Sequence, residues 1–236
     1  MATNFKFSFI HTLRIASLLI FFFCFSACKN LTTEKINMGT IEYEITYPNP
    51  SEVTMSMDLM PKAVSFRFIE NKTSSEITAG MGALKTIVLT DYEKKTIVQT
   101  LNLLGKKYKV DFNKTEIDSL NKVEPELKIE LTKEVKKIAG YDCYKVKCST
   151  KDANGALINY EVYYTKAINA PHVNWFGIYK DIDGMLMEYI VKRYGITMKF
   201  TAKSVSPDGA EDAAFELEGE YKEIPAAEMD GYFKMY

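Results

Sequence analysis

The sequence predicts a mainly β fold of the α+β kind: one strongly curved antiparallel sheet, a half-barrel of about 10–12 strands, wrapped around one or two short helices. Three observations predict it. Apolar and polar residues alternate with period two along most of the chain, as in "IEYEITY" (41–47). The links between these runs are short and rich in turn residues, and signals for helices are few. Such alternation marks strands with one buried and one wet face, which antiparallel sheets permit.

The chain opens differently. Residues Ile15–Ala27 form an apolar run of 13 residues, preceded by Lys6 and Arg14 and by no acidic residue. As a helix it would cover roughly 20 Å, short of the hydrocarbon core of about 30 Å. A basic start, a short apolar middle and small residues at the end predict an export signal over 1–27. Its end, Phe25-Ser26-Ala27-Cys28, resembles the lipobox of bacterial lipoproteins. That resemblance implies a lipid (palmitate-type acyl chains) on Cys28 and cleavage just before it. Cys24 is the rival, but Phe23 puts a bulky side chain where the peptidase needs a small one; an ordinary signal with a chance cysteine is the other reading. One acyl chain holds a protein only marginally, whereas two or three hold it firmly. Lys29 and Asn30 follow the cysteine with no Asp, so the expected address is the outer membrane of a cell envelope, facing either the periplasm or the surface.

Residues 28–40 read as a flexible tether, its last 12 residues spanning about 20 Å end to end, and 41–236 as a single domain. Once the signal leaves, 28 basic side chains face 31 acidic ones. A nucleic-acid partner would want a basic surface and is not expected.

In the domain, strands are expected at 41–47, 53–60, 63–70, 73–79, 84–91, 96–104, 107–112, 126–135, 141–149, 156–164, 185–194, 196–205 and 215–222. Asn71-Lys72, Gly105-Lys106 and Tyr194-Gly195 are hairpin connections. A helix is expected at 113–123, where Asn113 and Glu116 form a capping box ahead of Ile117 and Leu120. A second short helix opens at Pro225 and ends at Gly231. The segment 166–180 is the least sheet-like and holds Trp175. An outer-membrane barrel is disfavoured by 59 charges in 209 residues and by the lipobox. A β-sandwich would bring longer Greek-key links.

Chemistry is sparse. The only histidine after the signal is His172, which removes His-rich zinc sites and most relay mechanisms. Ser119 to Lys122 spells S-x-x-K by chance frequency. "DIDG" (181–184) lacks the third ligand and spacing of a calcium loop. Cys143 and Cys148, five apart in a strand, lie on opposite faces roughly 16 Å apart, beyond the 7 Å or so that a disulfide tolerates. No cofactor, metal or enzymatic activity is expected.

The informative pattern is a methionine and aromatic face. Val53, Met55, Met57 and Leu59 share one parity, as do Met185, Met187, Tyr189 and Val191, with Met198 and Phe200 on the next strand. Methionine packs against variable apolar shapes, so a trough lined by these residues and Trp175 would hold an acyl chain or another lipid-like ligand. The same face could equally be plain core. The first reading gives a lipid-anchored envelope binding protein. The alternative is an envelope structural or interaction protein that docks a protein partner through Trp175 and Phe176. The lipobox, the strand "GTIEYEITY", the Met-rich segment after it, the central "KKIAGYDCYKVKCST" and the closing "FELEGEYKEI" together resemble a family of bacterial envelope lipoproteins. That family is similar in turn to the half-barrel lipoprotein carriers LolA and LolB. The resemblance implies a curved sheet closed by helices over an apolar cavity; the closing strand lacks the proline the pattern carries.

Overall fold

The computed structural model describes residues 35–123, 126–151 and 155–234. In chain order its strands are β1 (Met38–Thr46), β2 (Ala63–Ile69), β3 (Lys72–Ala79), β4 (Leu84–Asp91), β5 (Thr96–Leu103) and β6 (Lys106–Phe112). Then come β7 (Lys128–Ile138), β8 (Tyr141–Lys151), β9 (Leu157–Thr165), β10 (Met185–Arg193), β11 (Ile196–Ser206) and the two-residue β12 (Lys222–Glu223). The α-helices among the described residues are α1 (Lys114–Val123) and α2 (Ala226–Lys234). All strands belong to one large, unclosed, curved sheet in the order β12-β6-β5-β4-β3-β2-β1-β11-β10-β9-β8-β7. Every pairing is antiparallel except that of β12 with β6.

One face can be followed from strand to strand through the register. Ile41 stands opposite Phe66, Phe66 opposite Ser75, Ser75 opposite Val88, Val88 opposite Gln99 and Gln99 opposite Val110. In the other direction Ile45 faces Phe200, and Phe200 faces Tyr189. Since side chains alternate along a strand, these residues share the inner face. The core there is Ile41, Tyr43, Val64, Phe68 and Phe200, joined by Ile168 and Ala170 from the segment 166–184 between β9 and β10. A second cluster sets Val146, Cys148 and Val162 against Tyr179 and Ile182 of that segment. A third packs Leu101 and Val110 against Ile224 and Met229, seating α2 on the β5–β6 end of the sheet.

The helix at 114–123 forms as its cap dictates. The Asn113 side chain accepts the N–H groups of Thr115 (2.9 Å) and Glu116 (3.1 Å), and Glu116 accepts the Asn113 N–H at 2.8 Å. Three otherwise orphaned donors are thus satisfied. The helix buries Ile117.

The sheet parts between β9 and β10. These strands pair only at Thr165/Met185, Tyr164/Leu186 and Tyr163/Glu188, with a register shift at Met187. From Tyr189 to Arg193, β10 pairs with β11 alone. The Tyr179 hydroxyl enters the gap and donates to the Ile190 carbonyl at 2.5 Å. Gly184 makes the turn into β10 feasible: its φ is +145°, and an added Cβ would lie 2.7 Å from both the Thr165 oxygen and the Tyr164 ring.

Three expectations need correction. The stretch 53–60 is not a strand; it follows a 3-10 turn at Pro50–Glu52 and runs as turns, with Met57 and Leu59 exposed and Met60 as its buried anchor. Both lateral positions beside β1 are held by β2 and β11, so no place next to β1 was open to it. The stretch 215–222 is also not a strand. Asp212–Phe215 forms a 3-10 turn and Gly219 has φ +84°, which leaves only Lys222 and Glu223 to pair with β6. Finally, the last residues read as tether are held in the domain: Ile36 bridges Ile168 of segment 166–184 and accepts the Asn169 N–H at 2.8 Å, and Met38–Thr40 already belong to β1. Cys28 and the signal lie outside the described residues.

Candidate functional site

Between the inner face of the sheet and the elements laid across it is a cavity of about 1090 Å³. The sheet contributes Tyr43, Phe66, Val88, Ile97 and Phe112; α1 contributes Ile117 and Leu120. Segment 166–184 adds Val173, Phe176, Ile178 and Tyr179, and α2 adds Met229. Across the parting, Tyr160 on β9 faces the cavity as Tyr189 and Val191 on β10 do. Small-molecule pockets run to about 300–1,000 Å³, so this one lies just above that range, and its walls are predominantly apolar and aromatic.

One end is covered. The segment 166–184 reaches the turn after β4, where the exposed His172 stacks on Tyr92 with ring centroids 3.9 Å apart and planes at 11°. Lys95 sits over the Tyr92 ring at 3.0 Å, a favourable approach of a cation to an aromatic face. Asn121 of α1 accepts the Gly177 N–H at 3.0 Å and fixes the segment from the other side. Asn174 donates to the carbonyls of Ile182 and Gly184, both at 2.8 Å, holding the segment's own loop together.

Of the residues expected to touch a ligand, Met185 lines the cavity. Met55, Met57 and Leu59 do not, because their segment is not in the sheet. Met187 is fully buried but sits at the register shift, which turns Leu186 to the cavity in its place. Met198 and Phe200 lie outside the lining; Phe200 is packed behind Tyr189, stacked at 4.9 Å and 8°. Trp175 is half-buried against Tyr92 and Phe176 rather than in the cavity, and its indole N–H is buried without an acceptor among the described residues. Phe176 is half-buried and lines the cavity.

Sequence reasoning missed Tyr43, Phe66, Val88, Ile97 and Phe112, although their parity is regular. Their alternation is the ordinary strand pattern, which by itself does not separate a cavity wall from packed core.

The polar groups offer little chemistry. Glu188 is held on the outer face between Lys136 and Lys199, each 3.0 Å away. The Ser119 hydroxyl donates to the Thr115 carbonyl at 2.9 Å. Among the described residues no three His, Cys, Asp or Glu side chains are placed to hold a metal ion. Cys143 and Cys148 are free and buried in different clusters. Burial pushes both thiols up to about 11. With so little thiolate, the native protein at pH 8 will leave both unmodified by iodoacetamide for hours, and both will react in denaturant; mass spectrometry of the alkylated protein reads the difference. Fast labelling of the native protein would contradict the burial.

No curated protein matches the chain. A family model described as a domain of unknown function matches residues 38–222, from the first residue of β1 to the first residue of β12. The chain belongs to that family, DUF4412.

Proposed function

We propose that this protein is a non-enzymatic binding module, tethered to the cell envelope by lipid on Cys28, that holds an apolar ligand such as an acyl chain in its curved sheet. The cavity of about 1090 Å³ walled by Tyr43, Phe66, Val88, Phe112 and Tyr189 carries this reading. A normally packed interior leaves few voids larger than a water molecule, so space on this scale calls for an occupant. Burying a chain there would gain about 25 cal/mol per Å² of apolar surface, before the cost of ordering it. In this reading the half-barrel works as LolA-like carriers do, shielding acyl chains from water, and the tether fixes the site at the outer membrane.

Val88→Trp tests it. Val88 is half-buried on the cavity wall, so an indole there fills space without displacing core. The variant should melt within a few degrees of the parent, and its uptake of a fluorescent fatty acid should fall by about tenfold or more, the loss of roughly one methylene's worth of contact twice over. Undiminished uptake would place binding elsewhere. A parent protein that takes up no fatty acid, and leaves the membrane with no extractable lipid, would defeat the reading.

A further inference from the structure

The cavity has a chemical direction. Among the described residues the charged side chains lining it are Lys151, Lys192, Arg193 and Asp230. Lys151 closes β8, and Lys192 and Arg193 close β10. Because β8, β9 and β10 run antiparallel in turn, these residues lie at one end of the sheet, opposite the end covered by segment 166–184. They also flank the stretch where β9 and β10 no longer pair. The apolar end is closed, and the sheet parts towards the basic end, beyond the point where the Tyr179 hydroxyl bridges to the Ile190 carbonyl.

The carboxylates near these cations are engaged elsewhere. Glu52 lies 3.6 Å from Lys192, but its other oxygen accepts the Thr197 N–H at 2.7 Å. Asp230 lies 3.9 Å from Arg193, while the same oxygen accepts the Tyr194 hydroxyl at 2.7 Å. Both ion pairs are long. Lys192 and Arg193 each keep 53% of their side chains exposed, and a guanidinium has five donors to offer.

Resting on the binding function above, we propose that the parting between β9 and β10 is the mouth of the cavity, and that Lys192 and Arg193, with Lys151 facing them, hold the anionic head of a single-chain amphiphile whose tail lies inside. The shared chemistry is a carboxylate or phosphate on a long alkyl chain. A free fatty acid and a lysophospholipid are its two sources.

The test uses the full chain extracted from membranes into amphipol and stripped of lipid. Palmitate, palmitoyl lysophosphatidate and hexadecanol compete against a fluorescent fatty acid. For Lys192→Gln/Arg193→Gln, affinity for the anionic probes should drop about tenfold or more, as expected when charge-assisted contacts are lost, while hexadecanol stays within twofold and reports an intact fold. Asp230→Asn, which keeps an acceptor for Tyr194, should tighten the anionic probes. Whichever of palmitate and lysophosphatidate binds more strongly identifies the source. Equal changes for all three probes, or none, would overturn the head-group site and leave the apolar cavity standing. If no probe binds the parent protein, both fall.

Discussion

Phe68→Ala will be the most damaging single truncation in the domain, lowering its stability by about 3–5 kcal/mol. Phe68 has no exposed surface and is among the largest fully buried side chains. It stands on β2 opposite Gly39 of β1 and Thr73 of β3, so the neighbouring strands bring a glycine and a small side chain to its flanks. Gly39 cannot enlarge to compensate, because a Cβ there would lie 2.3 Å from the Ser206 carbonyl oxygen. The space left by the ring therefore stays as a cavity. Domains of this kind keep only about 5–15 kcal/mol in hand. The melting temperature should fall on the order of 10 °C. A loss below 1 kcal/mol by urea titration would mean that segment 166–184 collapses onto the site and that the packing is looser than described.

Cys28→Ser has the largest effect on location. If the sequence Phe25-Ser26-Ala27-Cys28 is processed as its likeness to a lipobox implies, removing the sulfur removes the acyl chains. Each buried CH₂ is worth about 0.8 kcal/mol of membrane affinity, so losing two or three chains converts a lasting anchor into none. Radioactive palmitate should no longer label the protein, and it should leave the membrane pellet almost entirely. Undiminished labelling would point to Cys24, and a parent protein that takes no label would mean that neither cysteine carries lipid.

Much of the fold was legible in the sequence because a half-buried strand writes its periodicity directly. The run Ile41 to Tyr47 and the hairpins at Asn71-Lys72 and Gly105-Lys106 turn up where alternation and turn residues put them, and the capping box of Asn113 forms in full. Alternation misled where it was not backed by β-branched residues or by a vacant edge. Val53 to Leu59 alternates through methionine and leucine between Pro50 and Pro61, and yields turns. Phe215 to Lys222 alternates through glutamates and breaks at Gly219.

The site was harder to read for a different reason. A single extra residue at Met187 brings Leu186 into the lining and leaves Met187 out of it, while Met185, Tyr189 and Val191 keep their side, and nothing in "GMLMEYIV" announces it. The parting of β9 from β10 is a pairing event between distant segments, so local patterning carries no trace of it. The covering of one cavity end by His172 on Tyr92 is likewise a contact across 80 residues of chain.

The central claim is that a chain-like apolar ligand occupies the space inside the sheet. A fatty acid carrying a diazirine near its terminal carbon, photolysed in the presence of the protein and mapped by peptide sequencing, tests it most directly. The account predicts adducts at the closed end of the cavity, on Val88, Ile97 or Phe112. Adducts confined to exposed side chains such as Met81, Leu131 or Leu157 would contradict it.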